Sequence, residues 1–343
     1  MAAVHLTRRP SRLALGATAL LLSATLAACG GAPTETPSPS ATPTETAAAT
    51  PSASPTPTRD PIPVSNSIDG IQVTGEYGAA PEVTVPTPFA IDETRTKVLK
   101  EGDANAPAAE ADSIVEVNYV GVNARTGQKF DSSWDRGQPA LFSLDRMVAG
   151  FTKGVTGAKA GQRVLVVMTG ADGYDSGGGN AQAGIELGDS LVFVVDVHAV
   201  SVKQATGAAE SPQLPVTLGE AEGKPTVTID TTATPPADLV TVPVIRGAQR
   251  AVGADDNLRV HYRTYSWKTG QMIEDKFDNP VGGELNKAIQ AWQQGIVGQP
   301  IGSRVVLVAP PKVAYDKASH NPPVEAGDTV VYVVDILFSS PLT

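Results

Sequence analysis

Residues 145–163 read DRMVAGFTKGVTGAKAGQR and residues 286–304 read NKAIQAWQQGIVGQPIGSR, so one pattern occurs twice at a spacing of 141 residues. The positions that coincide are apolar residues, glycines and a tyrosine, namely Val148 with Ile289, Phe151 with Trp292, Gly154 with Gly295, Val155 with Ile296 and Tyr174 with Tyr315. Matches continue at spacings of 143 upstream and 139 downstream, which small insertions explain. This recurrence indicates a tandem duplication. We predict two homologous domains, near residues 66–203 and 210–343.

Both copies show the same order of secondary-structure elements. Apolar and polar residues alternate over 258–264, which is typical of a half-buried strand, and residues 113–122 are its counterpart. A short helix follows, with apolar residues at positions i, i+3 and i+7. Further apolar strands are predicted at residues 162–169, 190–200, 303–309 and 329–338. Consecutive strands with one helix favour an α+β fold, in which the helix covers one face of an antiparallel sheet.

The composition excludes several classes of function. The chain has 343 residues, enough for two cores, and a net charge of −10, which argues against nucleic acid as a partner. His198, His261 and His320 are scattered, and with a single cysteine they predict no metal site. The glycine run 177–179 lacks the lysine of a phosphate-binding loop, and no nucleophile motif appears. We therefore expect no cofactor.

The single cysteine, Cys29, follows a segment typical of export signals. Three arginines precede an uncharged apolar run over 13–28, whose 16 residues are short for a membrane helix of about 20. The sequence LAACG at 26–30 resembles the lipobox of bacterial lipoproteins, which implies cleavage before Cys29 and attachment of lipid to its sulfur. An ordinary signal peptide, with the cysteine incidental, is the alternative. We expect a lipoprotein signal peptide at 1–28.

Residues 29–65 begin with Cys29 and continue as a segment of Pro, Thr, Ser, Ala and Glu. Such a composition buries little apolar surface and favours extended polyproline II conformation. At roughly 3.1 Å per residue it could reach on the order of 100 Å. We therefore predict a disordered tether, with the folded domains extracytoplasmic and lipid-anchored to the bacterial cell membrane.

Within the first copy, several motifs occur in a characteristic order. They are VNYVG at 117–121, TGQKFDSSWDRGQPALFSL at 126–144, MVAGFTKGV at 147–155, AGQRVLVV at 160–167 and GDSLVFVVDV at 188–197. Together they resemble FKBP-type peptidyl-prolyl cis–trans isomerases. The resemblance implies two tandem FKBP-like domains, each a half-wrapped antiparallel β-sheet around one short α-helix. It also implies a shallow aromatic cup as the ligand site.

The resemblance assigns site residues in both copies. It implies a catalytic set of Tyr119, Phe130, Asp131, Phe151 and Tyr174. It implies substrate-binding roles for Arg136, Phe142, Val148 and Phe193. In the second copy the corresponding pocket consists of Tyr262, Ile273, Ile289, Trp292, Tyr315 and Tyr332. Taken singly, residues of the kind and spacing of Phe142, Val148, Phe151 and Phe193 are more often part of a core than of a site, and Tyr119 fits either role equally. Asp131 with Arg136 is compatible with a structural ion pair.

The second copy departs from the family pattern. Aligned without gaps, it has Ile273, Glu274 and Asn279 where the first has Phe130, Asp131 and Arg136. A four-residue insertion would instead place Phe277 and Asp278 there, and we favour the ungapped alignment. The first copy has Phe151 where the family usually has tryptophan, whereas the second keeps Trp292. We expect activity mainly in the first domain.

The expected chemistry is rotation about the peptide bond before proline. An amide resists rotation by about 18–20 kcal/mol, and a site that prefers the twisted amide lowers this barrier without a covalent step. The predicted function is therefore a peptidyl-prolyl isomerase that assists folding of exported proteins. Its partners would be proline-containing polypeptides and a macrolide inhibitor. The alternatives are a non-catalytic FKBP-like binding or chaperone module on the cell surface, and a structural surface spacer.

Overall fold

The structure is a computed structural model, and it describes residues 61–342. The predicted signal peptide, the lipidation site Cys29 and the linker up to residue 60 lie outside the described residues. Within the described part, the helices are too short or too polar to cross a membrane.

The first domain consists of short N-terminal strands followed by a sheet and one α-helix. The N-terminal strands are β1 Val64–Ser65, β2 Gln72–Thr74, β3 Glu82–Thr84 and β4 Ala90–Ile91. The sheet strands are β5 Arg95–Lys100, β6 Ile114–Asn123, β7 Lys129–Ser132, β8 Ala140–Ser143, β9 Arg163–Met168 and β10 Leu191–Val200. Helix α1 is Ala149–Val155 and lies between β8 and β9.

The second domain repeats this order. Its strands are β11 Ala208–Ala209, β12 Thr217–Ala221, β13 Lys224–Thr228, β14 Val240–Arg246, β15 Asp256–Ser266, β16 Met272–Asp275, β17 Val281–Glu284, β18 Arg304–Ala309, β19 Ser319–His320, β20 Pro323–Val324 and β21 Val330–Pro341. Helix α2 is Gln290–Ile296. Strand β11 pairs with β14, so the sheet of this domain recruits residues just before the predicted start at 210.

The two sheets share one topology. The first has the strand order β5-β9-β10-β6-β7, with β8 also paired to β6. The second has the order β11-β14-β18-β21-β15-β16, with β17 also paired to β15. The pairings within both sheets are antiparallel. The predicted arrangement of an antiparallel sheet with one short helix therefore agrees with each copy.

Both faces of each sheet are buried. Strand β9, RVLVVM, is buried along its whole length, because α1 covers one face and residues 61–92 cover the other. In the second domain the β12–β13 hairpin covers the face opposite α2. The sequence prediction placed Val64 and Ser65 in the disordered linker, and this is corrected by the parallel pairing of β1 with β4. Apolar side chains at Ile68 and Ile71 explain why this segment packs on the sheet.

A buried ion pair is repeated in both copies. Arg163 bonds Asp196 at 2.6 Å (Nε to Oδ1), and Arg304 bonds Asp335 at 2.6 Å between the same atoms. Both aspartate side chains are fully buried. Arg163 also donates to the carbonyls of Gly75 and Ala79 at 2.6 and 2.8 Å, so it fastens the N-terminal segment to the first sheet.

The two domains contact each other through polar side chains. The amide of Gln249 accepts from the Val200 N–H and donates to the Val200 carbonyl, both at 2.8 Å. Arg250 donates to Glu116 of the first domain at 3.0 Å and to Asp256 of the second at 2.8 Å. Glu116 is 4% exposed, so this contact lies within the protein rather than at its edge.

Candidate functional site

Five aromatic side chains of the first domain form one cluster. Tyr119 lies on β6, Phe130 on β7, Phe142 on β8, Phe151 on α1 and Phe193 on β10. Ring centroids are 5.4 Å apart for Tyr119 with Phe142 and for Phe142 with Phe151. They are 5.6 Å apart for Phe130 with Phe193 and for Phe151 with Phe193. Tyr119 and Phe142 are tilted and the other three pairs are edge-on, and the spacings are those of favourable aromatic pairs. Residues distant in sequence therefore meet in one place.

Phe130 reaches this cluster because the strand that carries it bulges. Pairing between β6 and β7 changes from Gly121 opposite Asp131 to Val122 opposite Lys129, so Phe130 is the extra residue. Gly121 makes room for the rings, since a Cβ atom there would lie 2.6 Å from Phe130. The bulge thus turns Phe130 and Asp131 toward the site.

Val148 and Tyr174 complete the predicted set at the margin of the cluster. Both are partly buried and pack against the same core. The Tyr174 hydroxyl has no hydrogen-bond partner among residues 61–342, so it is available to a ligand. Phe151, a member of the expected catalytic set, is only 2% exposed, so the rings beside it cover most of its surface. We refer to this aromatic cluster as the cup of the first domain, and Phe151 is almost closed to solvent within it.

A polar triangle borders the cup. The Tyr119 hydroxyl donates to one oxygen of Asp131, and Arg136 donates to the other at 2.5 Å. Arg136 also donates to the Tyr119 hydroxyl at 2.8 Å, which closes the triangle. The side chains of Arg136 and Asp131 are 46% and 40% exposed, so this rim faces solvent. The pair of Asp131 and Arg136 is thus joined by the buried tyrosine of β6.

The triangle sets the charge state of the rim. Burial, reinforced by the bond to Asp131, raises the pKa of Tyr119 to about 12. Burial alone would raise the pKa of Asp131, but the hydrogen bonds from Tyr119 and Arg136 outweigh it and lower that pKa. At neutral pH the rim therefore holds a carboxylate, a guanidinium and a protonated phenol.

The second domain contains a cavity of about 290 Å³ at the corresponding place. Five of the six predicted pocket residues line it, namely Tyr262, Ile289, Trp292, Tyr315 and Tyr332. The Trp292 ring makes edge-on contacts with Tyr262 at 5.1 Å and with Tyr332 at 5.8 Å. The sixth predicted residue, Ile273, packs against the same core but does not line the cavity.

Glu274, Asn321 and Pro322 also line this cavity, and the sequence prediction did not include them in the pocket. Glu274 lies opposite Thr264 in the ladder, as Asp131 lies opposite Gly121. The ungapped alignment had placed Glu274 at the position of Asp131, and that spacing was the signal that could have found it. Asn321 and Pro322 lie in a loop for which the two copies share no clear alignment.

The strand register also decides between the two alignments of the second copy. A bulge occurs between the Thr264–Glu274 and Tyr265–Met272 pairs, at the position of the first-domain bulge. The ungapped alignment is confirmed. The alternative alignment, in which an insertion places Phe277 at the site, is wrong. The Phe277 ring lies against His261, and His261 is on the opposite face of the strand from Tyr262, which lines the cavity.

Tyrosine hydroxyls give the second cavity a polar lining. The Tyr332 hydroxyl is buried and makes no hydrogen bond of good geometry within residues 61–342, although Tyr315 lies beside it. Burial raises the pKa of Tyr262, Tyr315 and Tyr332, so all three remain protonated donors. A buried donor without a partner costs about 1–3 kcal/mol, which an acceptor on a ligand would recover.

No group of three or more histidine, cysteine or acidic side chains is placed to hold a metal ion within residues 61–342.

Together, fold and side chains define a sheet-and-helix domain with an aromatic cluster, present twice in the chain. The sequence model of the FKBP-type peptidyl-prolyl cis-trans isomerases matches residues 106–198 and 248–337, which together make up more than half of the chain. The chain therefore belongs to this family of isomerases, and both the predicted family and the predicted enzyme class are confirmed.

Two relatives agree with this assignment. An FK506-binding protein of Streptomyces anulatus is 38% identical over 123 residues, covering 35% of this chain and 96% of the relative. A probable FK506-binding protein of Corynebacterium glutamicum is 40% identical over 127 residues, covering 37% of this chain and 94% of the relative. Among solved structures, the chain is similar to the crystal structure of the three FKBP domains of wheat FKBP73. The sequence identity is 18%, the match covers 73% of this chain and 96% of that chain, and the TM-score is 0.31.

Proposed function

We propose that the first domain is the main site of prolyl isomerisation and that its clients are exported polypeptides. The observation that carries the proposal is the closed triangle of Tyr119, Asp131 and Arg136 at the border of an aromatic cluster. Apolar walls suit a proline ring, and the fixed charges beside them suit the polar backbone on either side of it.

The geometry supports catalysis by preferential binding of the twisted amide. In the planar amide the nitrogen lone pair is delocalised into the carbonyl, and rotation removes this charge separation. Aromatic walls at Phe130 and Phe142 bind the less polar twisted form better than water does. The free hydroxyl of Tyr174 would donate to a substrate carbonyl and hold the chain in place. Each 1.4 kcal/mol of such preference corresponds to about tenfold in rate.

For the second domain, binding without efficient catalysis is the better-supported role. It has Ile273 instead of Phe130, and its Glu274 lies near Lys276 at 3.6 Å instead of bonding to an arginine. Its cavity of about 290 Å³ nevertheless offers Trp292 and three tyrosine hydroxyls. This domain would hold proline-containing segments while the first domain isomerises them.

The anchoring proposal is supported by the N-terminal sequence. A basic and apolar leader ends at Cys29, and a long proline-rich segment follows it. Two acyl chains on one protein suffice for stable attachment to a bilayer, whereas one is marginal. The domains would then lie outside the cytoplasm, where newly exported chains fold. A Cys29→Ser variant that still fractionates with membranes would contradict a lipid anchor.

The catalytic proposal is tested by measuring prolyl isomerisation with the full chain and with one wall variant in each domain. Phe130→Ala should remove most of the activity, whereas Trp292→Ala should remove little. A macrolide such as rapamycin should inhibit the parent. An unchanged rate for Phe130→Ala together with a large loss for Trp292→Ala would assign catalysis to the second domain instead.

A further inference from the structure

Strand β17 of the second domain has a pair of glycines where β8 of the first domain has large apolar residues. Gly283 lies opposite Leu258 in the ladder, and Phe142 lies opposite Val115 at the equivalent place. The spacing between Val115 and Leu258 is the same 143 residues that relates the two copies upstream of the helix. Gly283 therefore holds the position at which the first domain carries a phenyl ring.

The missing ring leaves space in the second domain. A cavity of about 390 Å³ lies beside Gly283, and its apolar lining comes from Leu258, Val260, Val281, Leu285, Ala288 and Trp292. We refer to this cavity as the side pocket. Ala288 stands where the first domain has Met147, so a second side chain is also shortened here. Ligand pockets have volumes of roughly 300–1,000 Å³, and the side pocket falls within that range.

The side pocket adjoins the aromatic cup of the second domain. Ala288 and Trp292 line both the side pocket and the cup cavity of about 290 Å³. The indole of Trp292 is thus a wall shared by two cavities, one polar with tyrosine hydroxyls and one apolar. A polypeptide held in the cup would have the side pocket within reach of a neighbouring side chain.

We propose that the side pocket binds an aromatic side chain of a polypeptide held in the second-domain cup. The first domain indicates the occupant, because its own Phe142 fills the equivalent place and packs edge-on against Phe151 at 5.4 Å. Trp292 stands at the position of Phe151 and offers a ligand phenyl ring the same contact. This proposal rests on the binding role proposed for the second domain, and it adds that aromatic residues near proline select the clients of that domain.

The mouth of the side pocket favours a neutral side chain. Glu284 and Lys287 both line it, and they form an ion pair with each other at 2.6 Å. Their charges therefore neutralise each other, and neither side chain is left unpaired to bind a charged group that enters the pocket. An aromatic ring buries its faces against the apolar lining while this pair stays at the solvent edge.

The test uses the full chain and short peptides with the sequences AAPA, AFPA and AAPF, observed through the indole N–H resonance of Trp292 in NMR titrations. A Trp292→Phe variant assigns that resonance. For the parent, a phenylalanine peptide should bind about tenfold or more tightly than AAPA, because one ring becomes buried. Equal affinity for all three peptides would overturn the proposal.

Filling the pocket provides the decisive variant. A Cβ atom at Gly283 would meet nothing within 4 Å, so Gly283→Phe is expected to fold and to place a ring where Phe142 lies in the first domain. This variant should lose the preference for phenylalanine and keep the affinity for AAPA. Met272→Phe is the matched control, because Met272 is 45% exposed on the neighbouring strand and does not line the pocket. Loss of the preference in Met272→Phe as well would contradict the assignment.

A small aromatic compound distinguishes failure of the side-pocket proposal from failure of the second-domain binding role on which it rests. Benzyl alcohol should shift the Trp292 resonance of the parent but not that of Gly283→Phe. If that result holds while no peptide binds, the side pocket accepts an aromatic ring, but the binding role of the second domain fails and the proposal for polypeptide clients fails with it. If AAPA binds but benzyl alcohol and the phenylalanine peptides give no Gly283-dependent effect, the binding role stands and the side pocket proposal is overturned.

Discussion

The two aromatic cups share one frame and differ in the space they leave. In the first domain Phe151 is 2% exposed beneath its neighbours, and Arg136 closes a hydrogen-bonded rim. In the second domain Trp292 lines two cavities, of about 290 and 390 Å³, and no arginine bonds to Glu274 among the described residues. A duplicated fold can thus preserve its ladder of strand pairs and change its site through a few wall residues.

The preserved parts are those that the fold needs. Both copies keep the strand order and the buried arginine–aspartate pair. Both also keep the bulge, which lies between β6 and β7 in the first domain and between β15 and β16 in the second. The altered parts lie on the walls of the cup, where Phe142 has become glycine and Phe130 has become isoleucine. Side chains on the wall can change without breaking the sheet, because backbone pairing does not depend on them.

The largest expected effect concerns the repeated ion pair. Arg163→Met should lower the free energy of unfolding by about 3–5 kcal/mol, because it leaves the buried carboxylate of Asp196 without its cation. Arg304→Met should cost less, since Arg304 is 15% exposed and does not hold an N-terminal segment as Arg163 does. Urea denaturation of the full chain measures both. Equal losses would show that fastening residues 61–92 contributes nothing.

The next effect concerns the walls of the cups. Phe130→Ala should reduce the isomerisation rate by about 10- to 100-fold, because it removes an apolar surface whose burial is worth about 1.5–3 kcal/mol. Ile273→Ala is the matched change at the bulge of the second domain and should alter the rate less than twofold. The rates are measured with the full chain on a proline-containing peptide. A greater loss in Ile273→Ala would reverse the roles proposed for the two domains.

A smaller effect is expected from the tyrosine hydroxyls. Tyr174→Phe should reduce the rate by about two- to tenfold, because one hydrogen bond contributes roughly 0.5–1.5 kcal/mol. Tyr315→Phe makes the same change in the second domain and should weaken peptide binding without affecting the rate. The two readouts are the isomerisation rate and the Trp292 resonance. Full activity in Tyr174→Phe would remove its assigned role.

Much of this site could be predicted because the chain contains the pattern twice. The constant spacing located Tyr119, Phe151 and Tyr174 together with their counterparts, and alternation along the strands predicted which side chains share a face. The same spacing identified Glu274 as the counterpart of Asp131, which the strand register confirms. These features are local or periodic, so they are visible in the sequence.

Other features depend on long-range packing that periodicity does not encode. The covering of the sheets by residues 61–92 and by the β12–β13 hairpin was not predicted, because short strands at these places carry few apolar residues. The side pocket was missed because Gly283 indicates a cavity only when its ladder partner and Trp292 are known. The closing bond from Arg136 to Tyr119 likewise joins a loop to a strand 17 residues away.

The smallest expected effect is the response of the isomerisation rate to pH. Hydrogen bonds from Tyr119 and Arg136 overcome the effect of burial and lower the pKa of Asp131 below its ordinary 3.8, and Tyr119 titrates only near 12. The isomerisation rate should therefore vary less than about twofold between roughly pH 5 and 9. A steep change near neutral pH would contradict a rim built from these groups.

The lowered pKa of Asp131 also determines the direction in which the free energy of unfolding changes with pH. Asp131 binds its proton less tightly in the folded chain, so its contribution is complete above the unfolded value near 3.8 and is lost as pH falls through the folded pKa. The rim is 40–46% exposed, so screening limits the contribution to about 0–1 kcal/mol. Urea denaturation at pH 7 and pH 3 should show Asp131→Asn converging on the parent in acid. Divergence in acid would mean that the carboxylate of Asp131 is not the stabilised form.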